Sequence, residues 1–287
     1  LMGTERITLF GRAVADPVYM GSSGGAARDP NRLLDLYSAL TDEGFKINDT
    51  LYNAYKNSAT KRSKGTSWAI GEEAQSFYTD ALKSSYAGDY NDAAIVMFAR
   101  DGGEGNDLPR DYNGGSYLAL QLEEEALLRM IRDSGKFGKI IVLINSAYPM
   151  ELGFLDDSAY GIDAALWIGD PGLKGFVGVA NILSGKADPS GHFVDTFAAD
   201  SLSAPAVRNF GNFTYANAGE ITANSAAHYV IYAEGIYVGY KYYETRYEDC
   251  VLDRNTASGA AGVYASSGGW NYAEEIVYPF GYGTSYA

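Results

Sequence analysis

Glu104 stands between Gly103 and Gly105 in the run RDGGEGND at residues 100–107, directly behind the apolar stretch AAIVMFA at 93–99. A carboxyl group that delivers a proton into a cleft needs this kind of setting, with a fixed strand behind it and pliant backbone on either side. The spacing suits an ordinary acidic surface turn equally well, and Asp101 and Asp107 are as eligible as Glu104 on composition alone. Two other loops follow apolar runs. Residues 21–25 (GSSGG) contain Ser22 and Ser23, and residues 145–151 (NSAYPME) follow the run that ends at Ile144.

Other chemistries fit less well. The pattern G-G-x-G at Gly102, Gly103 and Gly105 lacks the Lys and hydroxyl of a P-loop and the longer spacing of a dinucleotide fingerprint, so no nucleotide cofactor is expected. Ser22 or Ser23 as nucleophile would need a partnered base, and neither His192 nor His228 carries a triad signature. Two histidines and the single Cys250 form no metal-ligand spacing and exclude an internal disulfide, so no metal site is expected. The Tyr-rich stretch 229–247 could stack on sugar rings, although aromatics at strand spacing more often pack on a sheet.

The elements that must position these loops follow from hydrophobic patterning. Residues 6–10 (RITLF), 93–99, 139–146 (KIIVLINS) and 163–169 (DAALWIG) are continuous apolar runs of the type found in buried parallel strands. Helical spacing or composition marks 31–43, 50–58, 72–86, 121–133 and 173–183, with a short strand starting at 45–48. Strand, crossover and strand in this rhythm give an α/β fold with a mostly parallel sheet and helices on both faces. In such sheets the ligand crevice lies beyond the carboxyl ends of the strands, where all three loops fall. After residue 190 the rhythm gives way to a tail rich in Gly, Asn, Ser and Tyr, expected as long loops and short strands.

At 287 residues the chain has room for one large or two modest domains, and 46% apolar with 20% charged residues is globular composition. We expect a single domain over 1–287, with an α/β core to about 200 and a wrapped, loop-rich tail over about 201–287. Twenty-two basic against 36 acidic residues leave a net charge of −14, which argues against nucleic acid or an anionic membrane as partner and suits a neutral substrate. No apolar run approaches the roughly 20 residues of a membrane span, and the start has no signal-peptide pattern. The expectation is a soluble protein, with the cytoplasm slightly favoured over secretion.

Five ordered segments then carry a family resemblance: DAAIVMFARDGGEGND, KIIVLINSAYPMEL, DAALWIGDPGLKGFVGVANILSGKADPSGHFVDTF, YAEGIYVGYKYYE and YPFGYGTSY. Together they resemble glycoside hydrolase family 3, specifically the (α/β)6-sandwich domain of its β-glucosidase-like members, from residue 7 to 286. The resemblance implies that Glu104 is the general acid/base and that its loop neighbours Arg100 and Asp107 contact substrate. It also implies sugar contacts from the first-strand loop, here MGSSGG rather than a GGSGSG-like run, through Ser22 and Ser23. The family's Asp nucleophile belongs to a (β/α)8 barrel, for which the chain has neither the length nor the motif. The resemblance therefore implies one half of a retaining exo-glycosidase acting on a β-linked glucoside or related oligosaccharide, inactive without the barrel domain. The alternative is a non-catalytic carbohydrate-binding or scaffold domain of the same fold.

Overall fold

The computed structural model describes residues 1–20, 32–62, 69–103, 107–211, 213–221, 227–250 and 272–285. The chain divides into two compact units, residues 1–190 with 284–287, and residues 191–283.

The first unit is built on five parallel strands: β1 (Arg6–Phe10), β2 (Lys46–Ile47), β3 (Ala93–Arg100), β4 (Ile140–Ser146) and β5 (Ala164–Trp167). Their order is β2-β1-β3-β4-β5. The register runs Ile7 beside Ala93, Ala94 beside Ile140, and Ile141 beside Ala164. Every residue of β3 and β4 is buried, which is why both read as unbroken apolar runs rather than alternating ones. From β1 the chain steps outward to β2, then returns past β1 to β3, so the direction of winding reverses between β1 and β3. In a doubly wound sheet that reversal opens a crevice at the carboxyl ends of those two strands.

Helices α1 (Leu36–Glu43) and α5 (Phe176–Leu183) pack on each other, as do α2 (Asp49–Asn57) and α3 (Asp80–Ala87); α4 (Leu122–Ser134) joins β3 to β4. Right-handed crossovers place α1 and α5 on one face and α2, α3 and α4 on the other. Two helix starts differ from the sequence reading. Helix α1 begins at Leu36 rather than near residue 31, because the Asp35 carboxylate accepts the Ser38 N–H at 2.7 Å and caps it there; Asn31 lies outside the described residues. Residues 72–78 are not α-helical as expected: Ala74 is extended (ψ 155°), and only after the Thr79 cap does α3 form. The physical reason is that the carboxyls of Glu72 and Glu73 are drawn into long-range hydrogen bonds, described below, that a continuous helix would not allow.

The second unit carries two small antiparallel pairs, β6 (Phe197–Ala198) with β9 (Ile276–Tyr278) and β7 (Phe213–Thr214) with β8 (His228–Tyr229). Its helices are α6 (Pro205–Asn209), α7 (Tyr240–Cys250) and α8 (Tyr272–Glu275). The short strands match the expected tail, but α7 does not. There Tyr242 and Tyr243 turn into a small core with Ala198, Ala204 and Ile276, and packing overrides the strand preference of aromatics. Among the described residues no helix is long and apolar enough to cross a membrane.

Candidate active site

The crevice is assembled from the ends of β1, β3 and β4. Strand β1 leaves through Gly11, whose φ of 88° suits glycine and whose Cβ, were there one, would stand 2.5 Å from the Met97 carbonyl oxygen. A side chain there would drive β1 off β3. The Gly11 N–H donates to the Tyr55 hydroxyl (3.1 Å), which pairs with the Tyr78 hydroxyl at 2.8 Å. One residue on, the Arg12 N–H donates to the Glu72 carboxylate (3.0 Å) and its side-chain Nε to the Thr60 carbonyl (3.0 Å). Thr60 in turn donates its hydroxyl to Glu73 at 2.8 Å.

Arg62 spans the crevice. Its guanidinium donates to the carbonyls of Asp16 and Pro17 on the β1 side, and its Nε lies 3.9 Å from the Asp101 carboxylate at the end of β3. Asp101 is buried, so this attraction is less screened than a surface pair. A small pocket is lined by Arg12, Asp16, Arg62, Glu72 and Glu124 together with Met97, Phe98 and Ala99 of β3. Within it the Glu72 carboxyl is pushed up to about 8 by withdrawal from water, with Glu124 and Glu73 adding repulsion and the N–H groups of Glu73 and Arg12 opposing the shift.

Strand β3 ends in Arg100, whose side chain is fully buried. Its Nε donates to the Tyr117 carbonyl (2.6 Å), one terminal nitrogen to the Ala99 carbonyl (3.0 Å) and Glu124 Oε1 (2.7 Å), and the other to the Ala119 carbonyl (2.7 Å) and Glu124 Oε2 (2.6 Å). All the N–H donors of the guanidinium are therefore engaged inside the chain, which leaves none for the substrate contact that the sequence resemblance implied. Burial lowers the proton affinity of the guanidinium, but the charge of Glu124 and its hydrogen bonds outweigh this and hold Arg100 above its ordinary value.

Gly102 follows in the same loop, packed so closely that a Cβ would lie 2.7 Å from Leu108 Cδ2 and from the Tyr148 hydroxyl. Tyr148 comes from the loop after β4, and its hydroxyl is pushed upward by burial and then by the charges of Asp170, Asp101 and Asp107. The structure thus brings Asp107, which is exposed, to the same cluster of acidic groups as Asp101 and Tyr148. Glu104, Ser22 and Ser23 lie outside the described residues. At the end of β4, buried Asn145 accepts the Val18 N–H (2.7 Å) and donates to the carbonyls of Val18 (2.8 Å) and Gly169 (2.7 Å). The exits of β1, β4 and β5 are thereby tied together.

The sequence pointed to the loops that follow β3 and β4, the expected loop at 21–25 lies outside the described residues, and Arg12, Arg62, Glu72 and Glu124 were passed over. Their roles depend on partners 24 or more residues away, such as Arg100 with Glu124 and Arg12 with Glu72, and no local spacing signals such pairs. Among the described residues no group of three or more His, Cys, Asp or Glu side chains is placed to hold a metal ion.

Comparison with known proteins places this arrangement. The β-glucosidase of Ruminococcus albus is 28% identical over 282 residues, covering 97% of this chain and 25% of that protein. Beta-glucosidase A of Butyrivibrio fibrisolvens is 27% identical over 98% of this chain and 31% of its own length. Among solved structures, a β-glucosidase from Paenibacillus barengoltzii superposes with a TM-score of 0.68 at 25% identity, over 100% of this chain and 27% of that one. Beta-glucosidase 3B of Thermotoga neapolitana, solved in complex with glycerol, gives 0.68 at 24% identity over 100% and 35%, and shows the same fold. The chain thus spans about a quarter to a third of the relatives it matches. The family model of the glycosyl hydrolase family 3 C-terminal domain matches residues 1–240, and the chain belongs to that family.

Proposed function

We propose that this chain is the α/β-sandwich domain of a retaining β-glucosidase-type exo-glycosidase, with Glu104 as the general acid/base and an Asp nucleophile supplied by a (β/α)8 barrel domain outside these 287 residues. The observation that supports it is positional. The loop bearing Glu104 leaves the carboxyl end of β3 at the point where the sheet reverses its winding, beside the exit of β1, where folds of this type hold ligands. The share of its β-glucosidase relatives that the chain spans, 25% and 31%, leaves most of each relative for further domains.

Retention of configuration needs two carboxyl groups about 5 to 5.5 Å apart, one attacking the anomeric carbon while the other protonates the departing oxygen. In this reading Glu104 first gives its proton to the leaving group and then, as carboxylate, takes one from the water that releases the sugar. Asp107, exposed beside Tyr148, is positioned for hydroxyl groups of a neutral β-linked glucoside or related oligosaccharide; Ser22 and Ser23 are proposed contacts from the β1 side. The net charge of −14 disfavours nucleic acid and anionic membrane surfaces as partners.

The test uses the 287-residue chain with aryl β-glucosides and with cello-oligosaccharides. No turnover is expected from the chain alone. Glu104-dependent hydrolysis would show that the nucleophile lies within it, and millimolar glycan binding untouched by Glu104→Gln would favour a carbohydrate-binding domain instead.

A further inference from the structure

We infer that Arg100 and Glu124 are positioning residues for the acid/base loop, acting as a buried clamp that joins the chain before Glu104, at residues 100–101, to the chain after it, at residues 117–124. This rests on the proposed role of Glu104.

The loop departs from β3 at Asp101 and returns to regular structure at α4. Arg100, the last residue of β3, reaches across to the returning limb at two points, the carbonyls of Tyr117 (2.6 Å) and Ala119 (2.7 Å). A third tie runs the other way, from the Asp101 N–H to the Tyr117 hydroxyl at 3.3 Å. Both limbs therefore meet at one guanidinium, four residues before Glu104 in the sequence. Glu124 fixes the orientation of that guanidinium through two short bonds and also accepts the Gln121 N–H (2.9 Å), which seats the pair on the first turn of α4. Neither side chain meets water, with exposures of 0% and 1%, so no solvent competes for these bonds.

Stability alone does not account for such a pair. Buried ion pairs are often replaceable by packed apolar side chains without loss, because desolvation offsets their attraction. What an apolar pair cannot do is hold three carbonyls from separate segments, Ala99, Tyr117 and Ala119, in fixed directions at once. Lysine cannot do it either, having three donors on a flexible stem where arginine has a rigid five-donor fork. A displacement of about 1 Å in a catalytic group can cost about 100-fold in rate.

The experiment takes the intact gene product and compares Arg100→Lys, Glu124→Gln and the apolar double variant Arg100→Met/Glu124→Leu with Glu104→Gln. Two substrates are used: cellobiose, whose leaving group needs a proton, and 2,4-dinitrophenyl β-glucoside, whose leaving group departs without one. For the clamp variants kcat/KM on cellobiose should fall about 100-fold, while kcat/KM on the dinitrophenyl glucoside changes less than about threefold. Glu104→Gln should show the same split, more strongly. If Glu104→Gln lacks the split, the reading of Glu104 as acid/base fails. If Glu104→Gln shows it and the folded clamp variants do not, or if they lower both substrates by the same factor, the clamp has no positioning role. The double variant keeps the question open to refutation where a single replacement leaves an unpaired buried charge and does not fold.

Discussion

Replacing Glu72 by Gln should lower stability in acid and raise it in base. The wild-type carboxyl accepts two backbone N–H groups, from Glu73 at 2.9 Å and Arg12 at 3.0 Å, which by itself favours ionisation. Withdrawal from water, reinforced by Glu124 and Glu73, overcomes this and moves its pKa from 4.5 to about 8. The folded state thus binds a proton more tightly than the unfolded chain. The associated stability is fully present below about 4.5, declines as pH rises, and is lost above about 8. At about 1.4 kcal/mol per unit, that window is worth on the order of 5 kcal/mol in full, of which roughly 3 kcal/mol is already lost at neutral pH.

Glutamine is neutral throughout but offers one acceptor oxygen where the carboxyl offers two. One of the two backbone N–H groups then loses its partner, at about 1 to 3 kcal/mol. The variant should therefore be less stable than wild type near pH 5, equal to it around pH 6, and more stable by about 2 kcal/mol or more near pH 9. Urea midpoints followed by circular dichroism in steps across that range measure the difference directly, and titrations of distant groups cancel between the two proteins. Parallel stability curves would refute the reasoning, since they would mean that Glu72 ionises as freely in the folded chain as in the unfolded one.

Two further substitutions probe the strand ends. Asn145→Ala strands the Val18 N–H and the carbonyls of Val18 and Gly169 in a buried setting; a loss of about 3 to 5 kcal/mol is expected from urea melts, and a loss below about 1 would show that those groups find other partners. Gly11→Ala sets a methyl carbon 2.5 Å from the Met97 carbonyl oxygen at φ 88°. Because the obstacle is backbone, no rotamer relieves it, and we expect about 2 to 4 kcal/mol of destabilisation by thermal and urea unfolding; wild-type stability in this variant would mean that β1 and β3 are not in the register described.

What the sequence conveys and what it withholds divide along a physical line. Strands β1, β3 and β4 were legible because burial on both faces demands continuous apolar runs, and these occur where the sheet has them. The loops at their ends were legible for the same reason. Arg100 was legible as a residue of the site loop but not in its use, because a guanidinium looks the same in sequence whether it meets a sugar or a buried glutamate 24 positions on. Residues 72–78 were misread as helix because Glu, Ala and Gln favour one locally. The long-range hydrogen bonds of Glu72 to Arg12 and of Glu73 to Thr60 decide otherwise. In the tail, Tyr242 and Tyr243 carry strand preference yet lie on α7, since only the core they enter fixes their conformation.

The polar residues at the strand ends share one design. Arg12 after β1, Arg100 at the end of β3 and Asn145 near the end of β4 are all buried, and each ties the chain leaving its strand to a segment remote in sequence. Apolar packing is nondirectional and fixes a strand in a sheet without fixing the direction in which the next loop departs. Hydrogen bonds from buried donors fix that direction, and they are expensive to break because no water replaces them. Under the proposed function this matters more here than in an enzyme whose catalytic groups all come from one domain. A carboxyl that must meet a partner group from another domain at about 5 to 5.5 Å gains no positioning from that partner's own scaffold, so its own stem has to hold the geometry. The buried cations at the ends of the sheet supply that stiffness, and the raised proton affinity of the Glu72 carboxyl limits the build-up of negative charge beside Glu73 and Glu124.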